Sequence, residues 1–158
     1  MTFRDLFKEW GLTNVKLKYK FAELEFEPKD ADRAAAWDMY VELLTRISTQ
    51  PISANQGDEQ AALDSINSLF PTTRAVLKEK GRNAKEFSRV AIIVLNQLIR
   101  PFTAKWHKES LAGAFEKEEN CAVFRKELAD LQKWLVAYTR LLADMAQVED
   151  LTEISPEE

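Results

Sequence analysis

A mainly α-helical fold is what this sequence predicts: a four-helix-type bundle with proline-kinked helices, preceded by a short N-terminal helix and a small β-hairpin or lone strand. Three observations carry that reading. From Asp30 onward, apolar residues recur at spacings of three and four, the signature of helices with one buried face. The last such run, from Cys121 to Met145, keeps those spacings without a miss. Only the stretch around residues 14–28 changes to a period of two, the signature of a half-buried strand.

The elements follow in order. Phe3, Leu6, Phe7 and Trp10 share a helical face, and Gly11 supplies a terminator. Next, Leu17 and Tyr19 alternate with Lys16, Lys18 and Lys20, while Leu24 and Phe26 alternate with Glu23, Glu25 and Glu27. The apolar parity switches between Phe21 and Ala22. A hairpin folded there pairs Leu17 with Phe26, Tyr19 with Leu24, and each lysine with a glutamate. One long strand pairing antiparallel with its counterpart in a second molecule makes the same contacts, and both arrangements fit the pattern.

Pro28 and Asp30 open a helix whose Trp37, Tyr40, Val41, Leu44 and Ile47 form the expected buried face. Residues 51–60 read as a loop. A second helix opens near Asp58, is kinked or split by Pro71, and ends at Gly81. The third starts near Asn83, is apolar all round from Val90 to Leu95, and continues past Pro101 to Phe102 and Trp106. It is therefore expected to be the buried central helix. In the fourth, Cys121, Phe124, Leu128, Leu131, Leu135, Tyr138, Leu142 and Met145 define the seam. Trp134, Ala137, Leu141 and Val148 widen it beyond a two-stranded coiled coil, which favours bundle packing. The organisation expected is one domain over 1–151 and an acidic tail, 152–158, expected to fray.

Composition narrows the function classes. The chain has 158 residues, one His, one Cys and four Gly. One Cys leaves no disulfide framework, and one His leaves no two-imidazole site within a chain. No GxGxxG or GxxxxGK[ST] sequence is present, so neither phosphate-cradling loop is expected. The acidic clusters Asp30/Asp32 and Glu116/Glu118/Glu119 flank helix starts, where carboxylates complement the helix dipole. No metal and no cofactor are expected. The first turn of sequence mixes charge throughout, unlike a secretory leader, and the longest aliphatic run is six residues, Val90 to Leu95. A cytoplasmic protein with no membrane partner is the expectation.

Charge is unevenly spread around a net of −4. Residues 82–110 are basic and residues 111–158 strongly acidic, an arrangement explained if the two segments lie against each other. Within the basic stretch, Asn96, Arg100, Thr103 and His107 fall at helical spacings and form one column. The column reads first as the polar face of an otherwise buried helix, extended upstream by Lys85 and Arg89. Cys121, on the heptad seam, reads as core filler rather than a nucleophile.

The Arg-x6-His spacing of Arg100 to His107 (RPFTAKWH) also resembles the signature of HEPN-type helical domains. The resemblance covers eight residues, and Pro101 stands where that motif tends to carry a polar residue. It implies a ribonuclease, or an inactive relative, in which Arg100 stabilises phosphate charge and His107 moves a proton, with Asn96 and Thr103 in support and RNA as the partner. The leading expectation is different: a small accessory or adaptor module with no catalytic set of its own. It would bind a protein partner, itself included, through Leu17, Tyr19, Leu24 and Phe26 of residues 14–28 or through the last helix. An exposed strand edge invites such pairing.

Overall fold

The computed structural model describes residues 27–53 and 58–154. The expected N-terminal helix, the pairing of Leu17, Tyr19, Leu24 and Phe26, and the last four residues of the acidic tail lie outside the described residues. Within them, all regular structure is helical: α1 (Asp30–Leu44), α2 (Glu59–Asn67), α3 (Leu69–Lys80), α4 (Lys85–Ile93), α5 (Arg100–Leu111) and α6 (Glu118–Ala146). A π-helical stretch, Val94–Ile99, joins α4 to α5 without a break, and a 3₁₀ turn, Ala114–Glu116, precedes α6. No helix among the described residues is long and apolar enough to cross a membrane.

Both prolines leave their mark one turn upstream. A proline has no N–H to donate and its ring presses on the carbonyl four residues back. For Pro71 that carbonyl belongs to Asn67, the last residue of α2, and the helix bends at Ser68 before α3 resumes. For Pro101 it belongs to Gln97, in the middle of the π-helical stretch, where the wider turn relieves the clash. The expected kinks are therefore an elbow and a π turn, and the long third helix stays continuous.

All six helices contribute to the core, with α1 against α6 as its main seam, and an aromatic cluster closes one end. Along α6, Phe124, Leu128, Leu131, Leu135, Tyr138, Leu142 and Met145 are all buried, as are Ala137 and Leu141 of the wider stripe. Helix α1 runs antiparallel to α6, because Tyr40 meets the chain after α6 while the turn after α1 meets Gln132. The Tyr40 hydroxyl donates to Glu149 O (2.9 Å) and accepts from Leu151 N–H (3.0 Å). Gln132 Nε2 donates to Ile47 O (2.6 Å) and Gln50 O (2.9 Å), satisfying a turn that leaves the bundle. At the other end, Phe102, Trp106, Phe115 and Phe124 pack edge-to-face or stacked, with ring centroids 4.9–5.9 Å apart.

Three expectations need correction, and a fourth holds in part. The expected face of α1 is buried only in part: Tyr40 is, and Leu44 and Ile47 pack against the core. Ala35, Ala36, Met39, Tyr40 and Leu43 are buried, while Trp37 is 47% and Val41 39% exposed. Small alanines let α1 approach its neighbours closely, and the rotation that achieves this turns the tryptophan outward. The Val90–Leu95 stretch is not enclosed on all sides, since Ile92 is 47% exposed. The start of the acidic tail is tied down: Arg140 pairs with Asp150 (3.3 Å) and Glu153 (2.7 Å) and donates to Thr152 Oγ1 (3.0 Å). The basic and acidic segments do touch, through Lys105 and Glu127 (2.5 Å), with Trp106 Nε1 donating to the same carboxylate (2.9 Å). That contact uses only part of the basic stretch, which leaves Arg100 and His107 away from it.

One carboxylate ties two helix starts together. Asp32, 1% exposed, accepts from Lys29 N–H (2.9 Å) at the head of its own helix. Its other oxygen accepts from Phe87 N–H (2.9 Å), in the first turn of α4. First-turn amides have no partner within their helix, so a side chain from α1 caps α4. Asp58 does the ordinary local version of this job for α2, accepting from Gln60 and Ala61 N–H.

Candidate functional site

Arg100 and His107 lie seven residues apart on α5, downstream of the π turn, so regular α-helical geometry puts them on one face. Both open into the same groove, of about 380 Å³, between α5 and the α2–α3 elbow. The elbow contributes Asn67 and Arg74, and Phe70, Pro71 and Ala104 provide its apolar floor. None of the groove's lining residues is acidic. Pro101 does not spoil the alignment, because the π turn that accommodates it lies entirely before Arg100.

The same π turn removes part of the expected column. A π turn holds more residues than an α turn, so it shifts the phase of everything upstream relative to α5. Asn96, inside the turn, does not line the groove; it serves Arg100 from the side, its Oδ1 accepting from Arg100 Nε (3.2 Å). Arg89, further upstream, pairs with Glu86 (3.5 Å) instead of extending the column. Thr103 does line the groove but is buried, and its hydroxyl is committed to the helix backbone, donating to Ile99 O and Arg100 O (both 3.2 Å).

Arg100 is held by more than Asn96. Its guanidinium sits over the Phe70 ring, 4.8 Å from the centroid, a cation–π contact that fixes the charge at the groove's edge. Arg74 and His107 are exposed. Asn67 and Arg74 of the elbow carry no motif that marks them as site residues in the sequence. Their signal is the i, i+4, i+7 spacing of Asn67, Pro71 and Arg74, which a bent helix keeps on one side. What no spacing reveals is that this side faces α5.

A second groove, of about 460 Å³, lies between α1 and α3 and is lined by Trp37, Val41, Ala75 and Val76 with Asp38 and Glu42 at its rim. The rim acids are engaged: Asp38 with Lys80, and Glu42 with Arg46, which also donates to Ser68 and Thr72. Trp37 stacks on Tyr40 at 6.0 Å and keeps its outer surface open.

Comparison with known proteins returns no family model, no curated protein and no solved structure that matches this chain. Its reading therefore rests on the residues themselves. Cys121 lies near the start of α6. Its Sγ donates to Phe115 O (3.3 Å), and its pKa is raised, first by desolvation and then by the nearby Glu59 carboxylate. It is only half-buried and outside the core cluster, so it is not the core filler expected, and the buried seam of α6 starts at Phe124. Among the described residues, no three His, Cys, Asp or Glu side chains gather as metal ligands would.

Proposed function

We propose that this chain is a small cytoplasmic accessory or adaptor module, one helical domain that acts by binding a protein partner, a second copy of itself included. The observation that supports this reading is the Trp37–Val41 groove. A tryptophan and a valine stand outward on a helix that had buried alternatives, over a concave apolar strip between α1 and α3. Aromatic residues in such positions carry a large share of binding energy at protein interfaces. Residues 14–28, with Leu17, Tyr19, Leu24 and Phe26, belong to the same proposal as a strand edge, alongside the last helix. The test is light scattering on the full chain, on Trp37→Glu, and on a variant lacking residues 14–28. Loss of self-association in either variant supports the reading. A monomeric wild type whose partner recovery is unchanged by both changes ends it.

A second reading has one observation in its favour: Arg100 and His107 open into a common groove. This is the arrangement an HEPN-like ribonuclease requires of its arginine and histidine, one to hold phosphate charge and the other to transfer a proton. RNA cleavage by wild type but not by His107→Ala supports it, and equal behaviour of the two proteins rejects it.

A further inference from the structure

The groove between α5 and the α2–α3 elbow carries an imbalance that its role in packing does not explain. It presents two guanidinium groups, Arg74 and Arg100, and one imidazole, His107, with no carboxylate among its lining residues. The chain as a whole is acidic, and among the described residues Arg33, Arg46, Arg89, Arg125 and Arg140 all meet carboxylates. Arg100 instead meets an amide oxygen and an aromatic ring, which position the guanidinium without neutralising it. Two like charges facing one concavity raise its potential and draw in an anion.

We infer that this groove is a binding site for a phosphate monoester of nucleotide size, with Arg74 and Arg100 holding the phosphate oxygens and His107 and Asn67 completing the donor set. Three features select that chemistry. Guanidinium groups match phosphate geometry with paired N–H donors and stay charged at every physiological pH. A dianionic monoester answers two cations better than a singly charged diester does. The volume, about 380 Å³, lies in the range of small-ligand sites, and Phe70, Pro71 and Ala104 provide an apolar floor for the body attached to the phosphate. Arg74 and Arg100 come from separate helices, so the site exists only when the elbow packs against α5. The inference asks only for binding, so it stands whether or not the groove cleaves RNA.

Calorimetric titration of the full chain with adenosine 5′-monophosphate, adenosine and inorganic phosphate tests it. The monophosphate should bind at least tenfold more tightly than either adenosine or phosphate. Arg74→Gln and Arg100→Gln should each weaken it about tenfold, the loss of roughly one charge-assisted contact. The double variant should not bind it measurably. Arg74→Gln should melt at the wild-type temperature, whereas Arg100→Gln and the double variant give up the contact with the Phe70 ring and should melt about 2–4 °C lower while remaining folded. Equal binding of adenosine and the monophosphate overturns the inference, as does phosphate binding as tightly as the ester. So does a double variant that is folded and binds like wild type, or a wild type that binds none of the three probes. Monophosphate binding by a wild type that cleaves no RNA separates this site from the ribonuclease reading.

Discussion

Replacing Asp32 with alanine should cost the protein about 3 kcal/mol. Two hydrogen bonds vanish, and they are not equivalent. Lys29 is exposed, so water replaces the lost acceptor there and the net cost is small. Phe87 is 0% exposed, and its N–H is left facing a pocket where a carboxylate used to be. An unpartnered buried donor of this kind costs about 1–3 kcal/mol, and loss of a helix cap about 1 kcal/mol. The alanine itself returns a few tenths of a kcal/mol as a better helix former. Asp32→Asn should cost less, about 1–2 kcal/mol, because the amide keeps one acceptor oxygen and can satisfy one amide but not both. Urea unfolding at equal slope measures the difference; at a slope of about 2 kcal/mol per molar, the alanine midpoint falls by about 1.5 M. Amide exchange at Phe87 should accelerate more than at its neighbours. A loss below about 1 kcal/mol, or an unchanged Phe87 amide, refutes the idea that one side chain serves as the cap of two helices.

Three further outcomes follow from single positions. The Tyr138 hydroxyl is buried and, among the described residues, has no hydrogen-bond partner, so Tyr138→Phe should stabilise the fold by about 1 kcal/mol, seen as a melting temperature higher by about 2–4 °C. Burial also raises the Tyr138 pKa well above 10, so the unfolded chain ionises first on the alkaline side. Stability due to this group is complete below about pH 10 and falls above it by up to about 1.4 kcal/mol per pH unit, a slope the phenylalanine variant should lack. Gly113→Ala should lose about 1 kcal/mol in thermal melts, because φ is +79° in the turn after α5. Gly81→Ala should lose about 2 kcal/mol for a different reason: φ is ordinary there, but a Cβ would lie 2.5 Å from Leu77 O and 2.8 Å from Ser88 Oγ.

How far the sequence could be read depended on whether a feature was local. The seam of α6 was legible residue by residue, because a long helix with one dominant partner face leaves a regular apolar stripe. Helix ends at Asp58 and Gly81, and the irregularities near Pro71 and Pro101, were legible because caps and proline act within one turn. The face of α1 was legible only in part, through Tyr40. Size suggested Trp37 and Val41, but close packing selected Ala35 and Ala36, and only the neighbouring helices impose that choice. Asp32 was legible as a carboxylate at a helix start, and its reach to Phe87 was not. In the candidate site, Arg100 and His107 were found because they share a helix. Arg74 is not legible there because it arrives from another helix, and Asn96 shares the column only in a regular α-helix, which this stretch is not.

That π turn has a consequence for changes of chain length. A helix buried on one side cannot ordinarily gain or lose a residue, since every downstream side chain would swing by about 100°. Val94–Ile99 is a turn that holds such an extra residue, and one deletion inside it would give a plain α-helix. The flanking turns already stand as they would with that residue gone, so Phe87 upstream and Trp106 downstream would keep the faces they bury now. Length variation of a single residue here would thus pass without re-aiming either half of the helix or refolding the bundle.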